Sequence, residues 1–100
     1  MILNEREIHR KTIERYGAVE MINKCIQEMQ ELAENLRDNK HGADNIAQVL
    51  EERVDVEKML NKLDVIFGFK DADKKLISNA KMRRTLDRLD PGNNHTLGTD

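Results

Sequence analysis

Three glycines punctuate this chain. Gly17, Gly42 and Gly68 interrupt an apolar pattern that otherwise recurs every three to four residues, the period of an α-helix. No stretch alternates with period two, and the Val, Ile and Thr clusters typical of strands are missing. The chain is therefore expected to be all-α, with four helices. Asn4 followed by Glu7 forms a capping-box pattern that starts the first helix, which should run to about Arg15 and break near Tyr16–Gly17, where glycine costs a helix roughly 1 kcal/mol relative to alanine.

The second helix should continue to about Asp38, burying a stripe of Val19, Ile22, Cys25, Ile26, Met29, Leu32, Ala33 and Leu36. Residues 39–44, NKHGAD, read as a loop, and Asn45 with Gln48 offers a second capping box. The third helix should span Ile46 to Phe67 with Val49, Val56, Leu60, Leu63 and Phe67 on one face, and Gly68 stands where a helix C-terminus favours glycine. Asp71 or Asp73 should cap the fourth helix, whose buried side would be Leu76, Ile77, Ala80, Leu86 and Leu89, with Pro91–Gly92 as its stop. The pattern gives one all-α domain over residues 1–90 and a tail over 91–100. NNHTLGTD in that tail has no apolar period and is expected to be mobile in isolation.

Composition narrows the function. With 17 basic and 19 acidic residues among 100, the formal net charge is −2, which gives no long-range attraction to a nucleic-acid polymer. The aromatics are Tyr16, Phe67 and Phe69, too few for stacking on single-stranded bases. No apolar stretch approaches the roughly 20 residues of a membrane span and no signal-peptide pattern opens the chain. The single cysteine, Cys25, lies on an apolar face, excludes an internal disulfide and suits a reducing, cytoplasmic setting. A domain of this size buries only about 60–70% of its unfolded surface. Because the chain is also 36% charged, a core shared with a second copy is expected, in a homodimer or homotetramer.

Two carboxylate pairs sit at the edges of the apolar stripes. Glu28 and Glu31 lie three apart on the second helix, and Glu52 and Asp55 three apart on the third. Three residues along a helix keep side chains on neighbouring bearings, and a short connection makes the two helices antiparallel neighbours, so the four groups should converge at a half-buried seam. Burying unpaired like charges is unfavourable. Protons, lysine or arginine partners, or a hard divalent cation such as Mg²⁺ or Mn²⁺ must offset it. The same residues also read as solvated charges on a charged surface.

E-x-x-E at 28–31 (EMQE) followed by E-x-x-D at 52–55 (ERVD), on the second and third helices of a small all-α domain, resembles the MazG-like nucleoside triphosphate pyrophosphohydrolases. The segments ERYG at 14–17, NIAQVLEERVDVEKMLNKLDVIFG at 45–68 and KMRRTLDRL at 81–89 extend the similarity over roughly residues 14–89. The resemblance implies Mg²⁺-dependent hydrolysis of a nucleoside triphosphate, with a deoxynucleotide favoured, to the monophosphate and pyrophosphate. Glu28, Glu31, Glu52 and Asp55 would hold the metal, and Glu28 or Glu31 would orient or deprotonate the attacking water. Two departures stand out. Gln27 occupies a position where the family often has glutamate, and Met21 and Ile22 stand near where a glutamine is common. In the related phosphoribosyl-ATP pyrophosphatases a Tyr-His pair usually follows the second motif, whereas Val56-Glu57-Lys58-Met59 follows here.

Lys81, Arg84 and Arg88 share one face of the fourth helix and are candidates for phosphate contact, although pairing with Asp87 or Asp90 would explain them equally. Asn61 is a candidate for base or ribose recognition. Arg53 and Glu57 should pair across one helical turn or meet a partner subunit. His9, His41 and His95 show no metal-ligand spacing and read as surface residues. A catalytically degenerate helical module kept for partner binding or oligomerisation is the competing reading. A coiled-coil scaffold is disfavoured by the phase changes at the three glycines.

Overall fold

The structure is a computed structural model that describes residues 3–90. It is all-α: α1 (Glu5–Tyr16), α2 (Ala18–Lys40), α3 (Ile46–Phe67) and α4 (Asp71–Leu89), with no strand among the described residues. No helix among them is long and apolar enough to cross a membrane. The expected stop at Pro91–Gly92, the tail and His95 lie outside the described residues. The chain divides compactly between Gly68 and Phe69, with α1–α3 in one unit and α4 in the other.

In the first unit the glycines act as expected. Asn4 caps α1 by accepting from the Glu7 backbone N–H at 2.8 Å, and the Glu7 carboxylate accepts from the Asn4 side-chain amide at 3.2 Å. Gly17 is a one-residue joint. Its N–H donates to the Ile13 carbonyl at 2.7 Å, closing α1, while its carbonyl accepts from the Met21 N–H at 3.2 Å, opening α2. Its φ of 90° and ψ of 151° fall where a side chain is strongly disfavoured. Gly68 ends α3 in the left-handed conformation, φ 69° and ψ 30°.

Helices α2 and α3 form an antiparallel hairpin. Asn35 meets Asn45, Glu28 meets Glu52, and Met21 and Met59 line one cleft. All three pairs lie symmetrically about position 40, which is the register of a hairpin whose connection follows Lys40. The expected capping box at Asn45 and Gln48 does not form. The Asn45 side chain instead donates to the Asn35 carbonyl at 3.0 Å and accepts from the Asn39 amide at 3.1 Å. Both ends of the amide are thus committed across the hairpin, so a cap is given up for a register lock.

The α1–α3 unit has a small core of Met21, Cys25, Met59 and His9. Cys25 is buried among side chains, as its position on the apolar face implied. Three expectations need correction. His9 is buried rather than on the surface, because its ring turns inward and its Nε2 bonds the Glu5 carboxylate at 3.1 Å. On α2 the packed edge runs through Met21 and Cys25, and Val19, Ile26, Met29 and Leu36 stay exposed, because α1 and α3 both pack along that edge. On α4 no residue is buried, with Leu76 72% and Leu89 76% exposed, because α4 is the only helix of its unit among the described residues. Nor does Asp71 or Asp73 cap α4. Lys70 holds the cap position without a side-chain bond, and both aspartates sit in the first turn, where the helix dipole favours negative charge.

The two helix-ending glycines should differ in tolerance. Gly17→Ala is expected to destabilise the fold by about 1–3 kcal/mol, measured by urea denaturation. Gly68→Asn should cost clearly less, since asparagine enters the left-handed region readily. Equal losses would contradict the assignment of Gly17 as the strained joint.

Candidate metal centre

The hairpin register places Glu28 and Glu31 of α2 against Glu52 of α3. One carboxylate oxygen from each lies within 4.8 Å of the others, and all three residues are half-buried. With both groups ionised, Glu28 Oε2 and Glu52 Oε2 are buried with no hydrogen-bond partner, and only a proton on Glu52 lets the two carboxyls bond to each other. Orphaned buried oxygens are unfavourable, and at this site they converge. The donor set is all oxygen, which suits a hard divalent cation. Oxygens on opposite sides of an octahedral Mg²⁺ are about 4.2 Å apart, given bonds of about 2.1 Å, so the present spacing closes with small side-chain rotations. The residues therefore fit such an ion.

Charge crowding shows in the protonation of Glu52. Burial first, then a hydrogen bond with the Glu28 carboxyl and the negative charges of Glu31, Glu28 and Asp55, together push its carboxyl up from an ordinary 4.5 to about 7. Glu28 has one cationic neighbour, Lys24, one turn back at 3.8 Å. Gln27 donates to Glu31 Oε1 at 3.3 Å, so its amide steadies that carboxylate.

Asp55 lies outside the three-oxygen group. It lines an adjoining cleft of about 200 Å³ with Glu28, Lys24, Lys58, Met59 and Lys62. Asn61 faces α1, where its amide donates to Glu5 at 2.9 Å. The same Glu5 carboxylate accepts from Lys58 and His9, and these three bonds hold its carboxyl down at about 2, with Lys58 the largest cause. Lys58, bonded in turn to Glu5, is raised above the ordinary lysine range. Arg53 and Glu57 pair across one turn at 3.5 Å. Lys81, Arg84 and Arg88 are exposed on α4, in the other unit.

The sequence reading did not single out Lys24, Lys62 or Glu5 for the site. Lys24 had a readable signal, since it lies four residues before Glu28 on the same helix. Glu5 had none, because its partners Lys58 and Asn61 are more than 50 residues away. No family model, curated protein or solved structure matches this chain.

The two shifted glutamates act in separate pH windows. For Glu52 the folded state binds more protons than the unfolded state between pH 4.5 and about 7, so its contribution to stability falls as pH rises through that window. For Glu5 the contribution is present above 4.5 and lost as pH falls towards about 2. Carboxyl-resolved NMR titration of the metal-free protein should therefore give Glu52 a midpoint near 7. Glu28→Gln should bring that midpoint down, because it removes a negative neighbour. A Glu52 midpoint near 4.5 in the unaltered protein would mean that the three carboxylates are not held together in solution.

Proposed function

We propose that the protein is a Mg²⁺-dependent nucleoside triphosphate pyrophosphohydrolase of the MazG-like kind. It would release pyrophosphate from a nucleoside triphosphate, with a deoxynucleotide favoured, and leave the monophosphate. The observation that carries this reading is the convergence of Glu28, Glu31 and Glu52 with two orphaned, buried oxygens across one hairpin. It also rests on the order of the acidic motifs in the sequence, EMQE before ERVD.

In this reading Glu28, Glu31 and Glu52 hold the cation, and Asp55 stands beside it in the adjoining cleft. Mg²⁺, or Mn²⁺ in its place, supplies charge neutralisation on the phosphate oxygens and makes a bound water more acidic. Glu28 or Glu31 would orient the attacking water or take its proton. The oxygen of that water bonds to the α-phosphorus, and the bond to the α,β-bridging oxygen breaks, which sends the electron pair away on pyrophosphate. Lys81, Arg84 and Arg88 are assigned to phosphate contact through the family resemblance alone. Asn61 is better read as a strut between α3 and α1, because its amide is engaged by Glu5.

The oligomer belongs to the same proposal. Among the described residues the buried core is four, while Ile26, Met29, Leu36, Leu50, Val54 and Leu60 are exposed on α2 and α3. A second copy packed on these faces in a homodimer or homotetramer would remove them from water.

Glu52→Gln gives the sharpest test. It should lower Mg²⁺-dependent pyrophosphate release by about 10²–10³-fold, since a catalytic metal contributes several kcal/mol to the transition state. It should also raise the denaturation midpoint of the metal-free protein at pH 8, by removing a charge that its neighbours repel. Unchanged turnover with Glu52→Gln, or no pyrophosphate from any nucleoside triphosphate in the unaltered protein, would favour the degenerate oligomerisation module instead.

A further inference from the structure

The cleft beside the carboxylates does not end at its lysines. Lys24, Met59 and Lys62 also line a second, larger cleft of about 340 Å³, whose other walls include Thr12, Tyr16 and Met21. The two therefore form one trough across α1, α2 and α3. One end meets the Glu28 and Asp55 carboxylates, and the other has an aromatic ring, two thioethers and the Glu20 carboxylate.

The lysines at the junction are not equivalent. Lys58 is committed to Glu5, and Lys24 pairs loosely with Glu28 at 3.8 Å. Lys62 pairs with no carboxylate among the described residues, and its Nζ lies 3.7 Å from the Met59 sulfur, a weak acceptor. An ammonium whose bond is to a weak thioether acceptor remains available to an anion, although Glu28 and Asp55 share the cleft with it. A cation taken up by Glu28 would also weaken the hold of that carboxylate on Lys24 and free a second ammonium. Loading the carboxylates thus converts the junction from a paired surface to an anion seat.

We infer that this trough seats a nucleoside polyphosphate lengthwise, with the phosphate chain on Lys62 and Lys24 and the base against Tyr16 and Met21. The assignment rests on the function proposed above and adds to it the direction in which the substrate lies. Tyr16 is 61% exposed and does not serve the core, and since the Arg15 guanidinium lies over its ring at 5.9 Å, a base would stack on the opposite face. Met21 and Met59 are core residues that also reach the cleft wall, and a thioether adapts to more than one ring shape.

Calorimetry with three probes separates this inference from the metal assignment. The probes are Mn²⁺ alone, inorganic tripolyphosphate, and a non-hydrolysable α,β-methylene nucleoside triphosphate, the last two measured with Mg²⁺ and again with chelator. Lys62→Gln should weaken tripolyphosphate and the nucleotide alike by about tenfold and leave Mn²⁺ affinity unchanged. Tyr16→Ala should weaken the nucleotide by about tenfold and leave tripolyphosphate unchanged. Lys40→Gln, at the far end of α2, should change none of the three. The inference is overturned if Lys62→Gln has no effect on the phosphate probes or matches Lys40→Gln, or if Tyr16→Ala affects both phosphate probes equally or neither. Mn²⁺ binding without any phosphate binding would remove the trough and keep the metal centre. Phosphate binding that depends on Lys62 without Mn²⁺ binding would keep the trough and remove the metal centre.

Discussion

Like charges packed into the seam between α2 and α3 set the terms for the rest of this molecule. Two helices that needed only to adhere would bury alkyl side chains there, and Val or Leu at Glu28 and Glu52 would avoid both the desolvation and the repulsion. Instead Glu52 carries a carboxyl pushed to about 7 by burial and by its neighbours, and two oxygens in the seam lack partners. The hairpin must be held in register against that repulsion. Asn45 does this at the turn by binding the Asn35 carbonyl and the Asn39 amide, and Met21 with Met59 does it at the other end by burial.

Helix α1 stabilises the arrangement from outside. Glu5, in its first turn, accepts from Lys58, Asn61 and His9 together, which ties the start of α1 to the last turns of α3. That network has a second effect. It draws the Lys58 ammonium away from the carboxylates, although Lys58 is only one turn from Asp55. Had Lys58 turned inward, it would have neutralised the seam as a fixed internal cation, and a soluble ion would have had less to gain by binding. Glu5 thus holds one of the ammonium groups that line the cleft beside the carboxylates. Lys24 compensates the carboxylate charge only loosely, at 3.8 Å, and Lys24 is half-exposed, so the pair is weak.

Much of this was readable in the chain. The three glycines and the helical period gave four helices whose observed limits lie within three residues of those expected at each end for which a limit was read. A hairpin with a short connection also has a calculable register, which is why Glu28, Glu31 and Glu52 could be placed together from sequence. What could not be read depends on three-body packing. Periodicity gives α2 a broad apolar arc, and only the positions of α1 and α3 decide that Met21 and Cys25 are the buried edge while Ile26 and Leu36 are not. His9 looked like a surface residue because its partner, Glu5, is an ordinary one-turn neighbour, and nothing local shows that the ring faces inward. Asn45 looked like a cap because asparagine before a helix usually is one. Its engagement across the hairpin depends on Asn35 and Asn39 arriving from the preceding helix.

The small core bears on how such a site persists. Four buried residues give α1–α3 limited stability of their own, and a destabilising acidic seam is tolerated only if other contacts offset it. Within the proposed reading there are two such sources. A bound cation stabilises the folded state in proportion to the logarithm of its concentration over its dissociation constant. A second copy on the exposed faces of α2 and α3 would add apolar burial. These are different surfaces of the same hairpin, and both act through its register: the cation holds Glu28, Glu31 and Glu52 at one spacing, and a packed face of Ile26, Met29 and Val54 resists sliding of α2 past α3. A change that loosens either should therefore weaken the other, so that metal affinity and association depend on one another without any contact between the ion and the partner chain.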